Sequence, residues 1–97
     1  MCSDKQRIYA DLNKWDKARD EERRYVLTCM GTLKDLRKYN VEFVEGEIYH
    51  FWMDDGDEKG NPDPIYFEGT VEYDSECGYW GAWVHSNSFS HASDAKA

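Results

Sequence analysis

Acidic residues near the middle of the chain are the first candidates for chemistry, because they could bind calcium. Asp55, Asp57 and Gly60 match early positions of a calcium-binding loop, which also needs an oxygen ligand at its fifth position and Glu at its twelfth. Counted from Asp55, those two positions hold Lys59 and Tyr66. Loose binding of a divalent ion is one interpretation, but the composition favours a solvated turn. No metal site is predicted.

Two histidines and a cysteine form the second candidate group. His50, His85 and Cys77 could meet across strands as zinc ligands, but a structural zinc site takes four ligands with recognisable local pairs, which the sequence lacks. The same residues could form a thiol nucleophile with a base. Cys77 precedes Gly78 in an acidic turn, however, and negative surroundings disfavour the reactive thiolate. We interpret all three as ordinary turn and strand residues.

Paired carboxylates are the third possibility. Glu68 and Glu72 share one face of a predicted strand and lie about 13 Å apart at ~3.3 Å per residue. That distance exceeds the range used in glycoside hydrolysis. The sequence also lacks a glycine-rich phosphate loop, a GxSxG turn and an HExxH helix. We therefore predict that the protein is not an enzyme and binds no cofactor.

Aromatic side chains are concentrated in the second half of the chain. Residues 40–97 contain eleven of them, more than a small sheet readily buries. Trp and Tyr dominate binding hot spots because they bury a large area at little entropic cost. We expect at least three to contact a partner, with Trp52, Trp80 and Trp83 the leading candidates. The eleven are Phe43, Tyr49, Phe51, Trp52, Tyr66, Phe67, Tyr73, Tyr79, Trp80, Trp83 and Phe89.

Charge is also unevenly distributed. The formal net charge is −8, with a pI of about 4.7. Residues 1–39 hold ten Lys and Arg against seven Asp and Glu, whereas residues 40–97 hold two Lys against thirteen Asp and Glu. Because an acidic surface repels phosphate backbones and attracts basic surfaces, direct nucleic-acid binding is not expected and a protein partner with a basic surface is. The alternative is that the acid only maintains solubility.

Together these features predict a small acidic binding protein. We expect an inhibitor that acts as a nucleic-acid mimic and covers a basic or nucleic-acid-binding surface of its target. Immunity proteins and phage counter-defence proteins work in this way. Alternatives are a small ligand-binding module that uses exposed aromatics, and a self-associating structural domain such as a homodimer. The predicted partner-binding residues are Trp52, Asp54, Asp55, Asp57, Glu68, Glu72, Asp74, Trp80 and Trp83.

The first half of the chain must then position these residues as a helical layer. Residues 3–39 are predicted to be helical, because apolar residues recur at spacings of three and four, beginning with Ile8, Leu12 and Trp15. Ser3 and Gln6 have capping-box spacing. A charged run interrupts the apolar face at residues 16–24. Either one long helix or two antiparallel helices would satisfy this pattern.

The second half is predicted to form three strands, at Val41–Met53, Ile65–Tyr73 and Tyr79–His85, because β-branched and aromatic residues cluster there. The fold class is therefore α+β, with the helical layer packed on a three-stranded antiparallel meander. The sheet could instead curl toward a small SH3-like barrel. Residues 1–86 are expected to form one domain, and residues 87–97, which are small and polar, a mobile tail.

Cysteine usage and hydropathy indicate the compartment. Cys2, Cys29 and Cys77 are odd in number and contain no CxxC pair, so a disulfide framework is not expected. No apolar run approaches the ~20 residues of a membrane helix, and no apolar segment follows the first residues. We therefore expect no membrane contact and a cytoplasmic location, or the host cytoplasm if a virus encodes the protein.

Overall fold

Strands occupy most of the protein, which a computed structural model describes over residues 6–56 and 58–95. Its one α-helix in those ranges, α1, spans Met30–Lys38, and short 3₁₀ turns cover Ser86–Ser88 and Ala92–Ala95. The strands are β1 (Arg7–Tyr9), β2 (Trp15–Arg19), β3 (Glu22–Val26), β4 (Ile48–Met53), β5 (Ile65–Asp74), β6 (Tyr79–His85) and β7 (Ser90–His91).

All seven strands join one mixed sheet. Its order is β1-β4-β5-β6-β3-β2, and β7 pairs with the start of β5. β1 runs parallel to β4, whereas the other pairs are antiparallel. β1 and β2 are the two ends of this order, so the described sheet is open and not the SH3-like barrel that the sequence suggested as an alternative.

The predicted N-terminal helical layer on a three-stranded meander is therefore wrong. Residues 7–26 form three strands, and β3 pairs with β6 in the register Arg24↔Trp83 and Tyr25↔Ala82. The charged run at residues 16–24 is a hairpin, which turns at Asp20 with φ +47°. Its charges pair across the hairpin, as in Asp16 with Arg24, and with the distant Glu72 and Asp74, so local periodicity gave a misleading helical signal. Ser3 of the predicted cap lies outside the described residues.

The helical prediction holds only for α1, and two sets of contacts fix its position. At its C-terminus, Asn40 has φ +55° and the Val41 amide donates to the Leu36 carbonyl at 2.9 Å, which is a Schellman ending. On its side, Asp35 accepts from the Tyr9 amide at 2.9 Å, and the Thr32 hydroxyl donates to the Tyr9 carbonyl. The helix thereby covers the outer edge of β1, which would otherwise expose unpaired backbone groups.

The hydrophobic core lies on one face of the sheet. Ile8, Phe51, Phe67, Val71 and Val84 are almost fully buried there, because alternate residues of a strand point to the same face. The end of α1, the following segment and Phe89 cover this face, through partly buried side chains that pack on the core: Leu36, Tyr39, Val41, Phe43 and Phe89. In the described part of the segment 87–97, Phe89 packs on this core and Ser90–His91 form β7.

The strands β4 and β6 lie inside predicted strand segments, β5 extends one residue beyond its segment, and the three pair antiparallel in succession. The opposite side of the sheet, called here the open face, carries Arg24, Trp52, Glu68, Glu72 and Trp83. No helix in the described ranges is long and apolar enough to cross a membrane.

Candidate partner-binding surface

A buried arginine organises the charges of the open face. Arg24, on β3, is 1% exposed. Its guanidinium binds both carboxylate oxygens of Asp16, at 3.0 and 2.7 Å. It also donates to Glu72 at 2.7 Å and to Asp74 at 3.0 Å. A Cβ atom at Gly81 would lie 2.8 Å from the Arg24 side chain, so a glycine on β6 leaves the room that the arginine needs.

Arg24, Asp16, Glu72 and Asp74 form a charge cluster that shifts the pKa values of Asp16 and Asp74. Hydrogen bonds from Arg24 lower the pKa of Asp16. The backbone amide of Cys77, and then Arg24, hold the pKa of Asp74 far below its usual range. Two of the predicted partner-binding acids, Glu72 and Asp74, therefore neutralise an internal cation. Part of the charge division seen in the sequence is compensated inside the fold.

The three predicted tryptophan anchors do not share one surface. Trp52 lies half-buried on the open face, and its Nε1 donates to Asp35 at 3.1 Å. Trp83, also on the open face, is 9% exposed and lies beneath the Arg19 guanidinium, 3.9 Å from the ring centroid. Trp80 lies on the opposite face and is half-buried. Glu68 is on the open face, 3.4 Å from a nitrogen of His50.

Acidic residues of the loop between β4 and β5 stabilise the loop itself. Asp55 contacts His91 of β7 at 2.8 Å, which lowers the pKa of Asp55 and raises the pKa of His91. Asp63 accepts from the backbone amide of Ser93 at 3.0 Å and from its hydroxyl at 2.8 Å. Asp54 is exposed beside them, and Asp57 lies outside the described residues.

The metal and thiol groupings considered from the sequence are not assembled. In the described part of the chain, no three His, Cys, Asp or Glu side chains are placed to hold a metal ion. Cys77 and His85 flank opposite ends of β6, which separates them by about 20 Å at strand spacing. Cys77 is an exposed free thiol.

An exposed aromatic patch, which the sequence analysis did not predict as a unit, lies at one end of the core face. It is formed by Phe43, Val44, Tyr49, Tyr73 and Trp80. The rings follow one another in contact: Tyr73 and Trp80 have centroids 5.4 Å apart, Trp80 and Phe43 5.6 Å, and Phe43 and Tyr49 5.0 Å. The Tyr49 hydroxyl accepts from the Val44 amide at 2.8 Å. Tyr73 is 44% exposed and Val44 56%.

Glutamates on the loop before β4 border this patch. Two backbone bonds hold the loop against β5, from the Gly46 amide to the Val71 carbonyl at 2.8 Å and from the Val71 amide to the Glu47 carbonyl at 3.0 Å. Gly46 has φ +88°, which favours glycine. Glu42, Glu45 and Glu47 are exposed, and none forms an ion pair with another described residue.

No protein-family model, curated protein or solved structure matches this chain. Function is therefore inferred from the surface itself.

The patch has the composition of a binding hot spot. Such spots combine partly packed aromatic rings at the centre with a polar rim. Here Tyr73 is braced by Trp80, so little rotamer freedom remains to be lost on binding. The sequence signal that could have found it is the run from Val41 to Glu47, which combines three glutamates with apolar residues and contains no Lys or Arg. That run lies in the segment predicted as the first strand, Val41–Met53.

Proposed function

We propose that the protein is a non-enzymatic binding protein that covers a basic surface of a protein partner and inhibits the partner there. The observation that carries this proposal is the aromatic patch with its glutamate border. An exposed ring in contact with packed rings offers apolar area, and the adjacent carboxylates select a partner by charge.

The expected partner surface is apolar at its centre and rich in Lys or Arg around it. An Arg side chain of the partner could stack on the exposed face of Tyr73, because guanidinium groups favour aromatic faces by about 0.5–2 kcal/mol. The three glutamates would accelerate association by attracting that surface. A basic surface of this kind is also what proteins use to bind nucleic acid, which is why inhibition by mimicry is proposed.

The charge cluster changes which acids are assigned to the partner. Since Glu72 and Asp74 are held by Arg24, we assign contact with the partner first to Glu42, Glu45 and Glu47. Substitution of these loop glutamates should leave the fold largely unaffected. A fold-neutral set of variants is therefore available for testing the proposal.

The test uses the purified protein as bait in a lysate of its host, at low salt and then at about 0.5 M, where the Debye length is below ~5 Å. The test variant carries Glu45→Gln and Glu47→Gln. The control carries Asp20→Asn and Glu58→Gln, which make the same change in net charge at exposed residues away from the patch. Asn tolerates the positive φ at position 20.

We expect one basic protein in stoichiometric amount, retained by the wild type and the control, eluted by salt, and reduced at least tenfold with the test variant. Equal retention by the test variant and the control would contradict the assignment of the patch. Absence of any partner, combined with a dimer in sedimentation velocity that Tyr73→Ser converts to a monomer, would instead favour the self-associating alternative.

A further inference from the structure

A second recessed surface lies where α1 meets β1 and β4 on the open face. It consists of two adjoining depressions of about 370 and 270 Å³, which share Asp35, Lys38 and Trp52 in their linings. We call them together the α1 groove. Pockets that hold small ligands begin at roughly 300 Å³. The groove is distinct from the aromatic patch, because Tyr66 in the groove and Tyr73 in the patch are about 23 Å apart along β5 at strand spacing.

The floor of the α1 groove is aromatic and held in place. Tyr9 and Trp52 meet edge to face with centroids 5.1 Å apart, and Trp52 pairs across the sheet with Tyr66. Asp35 accepts from the Trp52 ring nitrogen and, through the same oxygen, from the Tyr9 amide. A Cβ atom at Gly31 would lie 2.6 Å from the Tyr9 ring, so the glycine lets that ring lie against the helix. A rigid aromatic floor suits a planar ligand.

Cations border this floor. Arg7 lies 3.9 Å from the Tyr66 ring centroid, and its guanidinium donates to the Phe51 carbonyl at 3.1 Å, which fixes its position. Lys34 and Lys38 are exposed one helical turn apart and both line the groove. Two like charges at that spacing destabilise a helix by roughly 0.2–0.5 kcal/mol, and an anion between them would remove that cost.

The acids in the lining weaken this positive character only in part. Asp35 is already engaged by two donors, and Asp54 lines one of the two depressions. Burial and then the nearby Asp11 raise the pKa of Tyr9, so a third acid lies close to the groove. Positive charge is concentrated on the α1 side, where Lys34 and Lys38 lie, in a protein whose net charge is −8.

We propose that the α1 groove binds a free nucleotide, with its base on Trp52 and its phosphates between Lys34 and Lys38. A planar ring alone would not need the lysines, and inorganic phosphate would not need the aromatic floor. A nucleic-acid strand would extend beyond the groove over an acidic protein, which opposes its binding. This inference is independent of the proposed protein partner.

The test is calorimetric titration of the purified protein with the four common nucleoside diphosphates, and with adenosine and pyrophosphate as fragments. We expect at least one nucleoside diphosphate to bind at one site with a Kd of about 1 mM or tighter, equivalent to about −4 kcal/mol. The fragments should bind at least tenfold more weakly. NMR chemical-shift changes should centre on the indole N–H of Trp52.

Variants of exposed residues locate the site without altering the core. Lys34→Gln with Lys38→Gln should weaken binding at least tenfold. Lys14→Gln with Arg37→Gln changes net charge equally at exposed residues outside the groove lining and should change the Kd less than twofold.

Several results would overturn the proposal. One is that no nucleoside diphosphate binds at about 5 mM, several times the expected Kd. The others are that the two double variants weaken binding equally, or that the chemical-shift changes lie far from Trp52. If pyrophosphate binds as tightly as the best nucleoside diphosphate, the groove is a simple anion site. If adenosine binds as tightly, the groove is a stacking site. If a short single-stranded oligonucleotide binds more tightly than any nucleoside diphosphate, the groove is instead a nucleic-acid site.

Discussion

Replacing Arg24 with methionine would remove the cation that three strands share. Asp16 on β2 and two acids on β5, Glu72 and Asp74, converge on its guanidinium. Methionine fills similar volume with an apolar chain, so the main change is electrostatic. Three carboxylates would then face one another with only the exposed Lys17, 3.5 Å from Asp74, as a counter-charge.

The expected loss of stability is about 3 kcal/mol. Removing one member of a buried ion pair typically costs about 3–5 kcal/mol, because the remaining charge is left uncompensated. The lower end applies here, since the Glu72 and Asp16 side chains are 38% and 23% exposed and water can partly solvate them. A domain of this size has a total unfolding free energy of about 5–15 kcal/mol, so the variant should remain folded but weakened.

Urea unfolding followed by far-UV circular dichroism measures this loss. With a slope of about 1–1.5 kcal/mol per molar urea, the midpoint should fall by roughly 2 M. The matched control is Arg23→Met, the neighbouring strand residue, which is exposed and lies 4.6 Å from the Trp15 ring centroid. It should cost about 0.5–1 kcal/mol, the range of an exposed cation–π contact. Equal midpoints for the two variants would refute a stabilising role for the cluster.

The pH dependence provides a second test of the same cluster. In the wild type the pKa values of Asp16 and Asp74 are lowered, so their stabilising effect is present above their unfolded values, near 3.8, and is lost as the pH falls through the folded values. In Arg24→Met, crowded carboxylates favour protonation, so lowering the pH from 7 to about 5 should raise stability. The difference between wild type and variant should therefore narrow on acidification, and a constant difference would contradict the electrostatic cause.

Two further predictions concern other parts of the fold. Asn40→Ala should lower the unfolding free energy by about 1 kcal/mol, because alanine is disfavoured at φ +55°, whereas Asn40→Gly should be within about 0.5 kcal/mol of wild type in thermal unfolding. The contact between Asp55 and His91 raises the pKa of the histidine, so its stabilising effect is complete below pH 6.5 and is lost as the pH rises through the raised value. An NMR titration of the His91 ring should show that rise, and Asp55→Asn should reduce it, leaving the smaller effect of Asp63 and Asp94.

Much of the sheet could be predicted from local pattern. In β5, apolar and polar residues alternate, and the structure buries Phe67 and Val71 while exposing Glu68 and Thr70. Apolar spacing also marked the region of α1. The same spacing, however, extended the predicted helix back through Ile8, which lies on β1 and packs against Phe51 and the other core residues.

The exposed aromatic residues were harder to predict, because burial depends on neighbours that are remote in sequence. Trp83 is a plausible anchor by residue type, yet Arg19 covers it in the fold. Tyr73 carries the same chemistry but is exposed, since it lies at the end of the sheet beyond the loop that covers the core. Composition identified a surplus of aromatic rings and could not say which of them reach the surface.

The sequence by itself determined the elements from β4 to β6, the acidic balance and the absence of familiar catalytic motifs, because these depend on residue type and short spacing. Only the tertiary structure decided that residues 7–26 are strands and that Arg24 meets Glu72, 48 positions later in the chain. A charged strand is favourable in the sheet only when complementary charges lie within reach, here on the adjacent β2 and, across β6, on β5. No local pattern contains that information, so the charge cluster, the aromatic patch and the α1 groove exist only in the folded sheet.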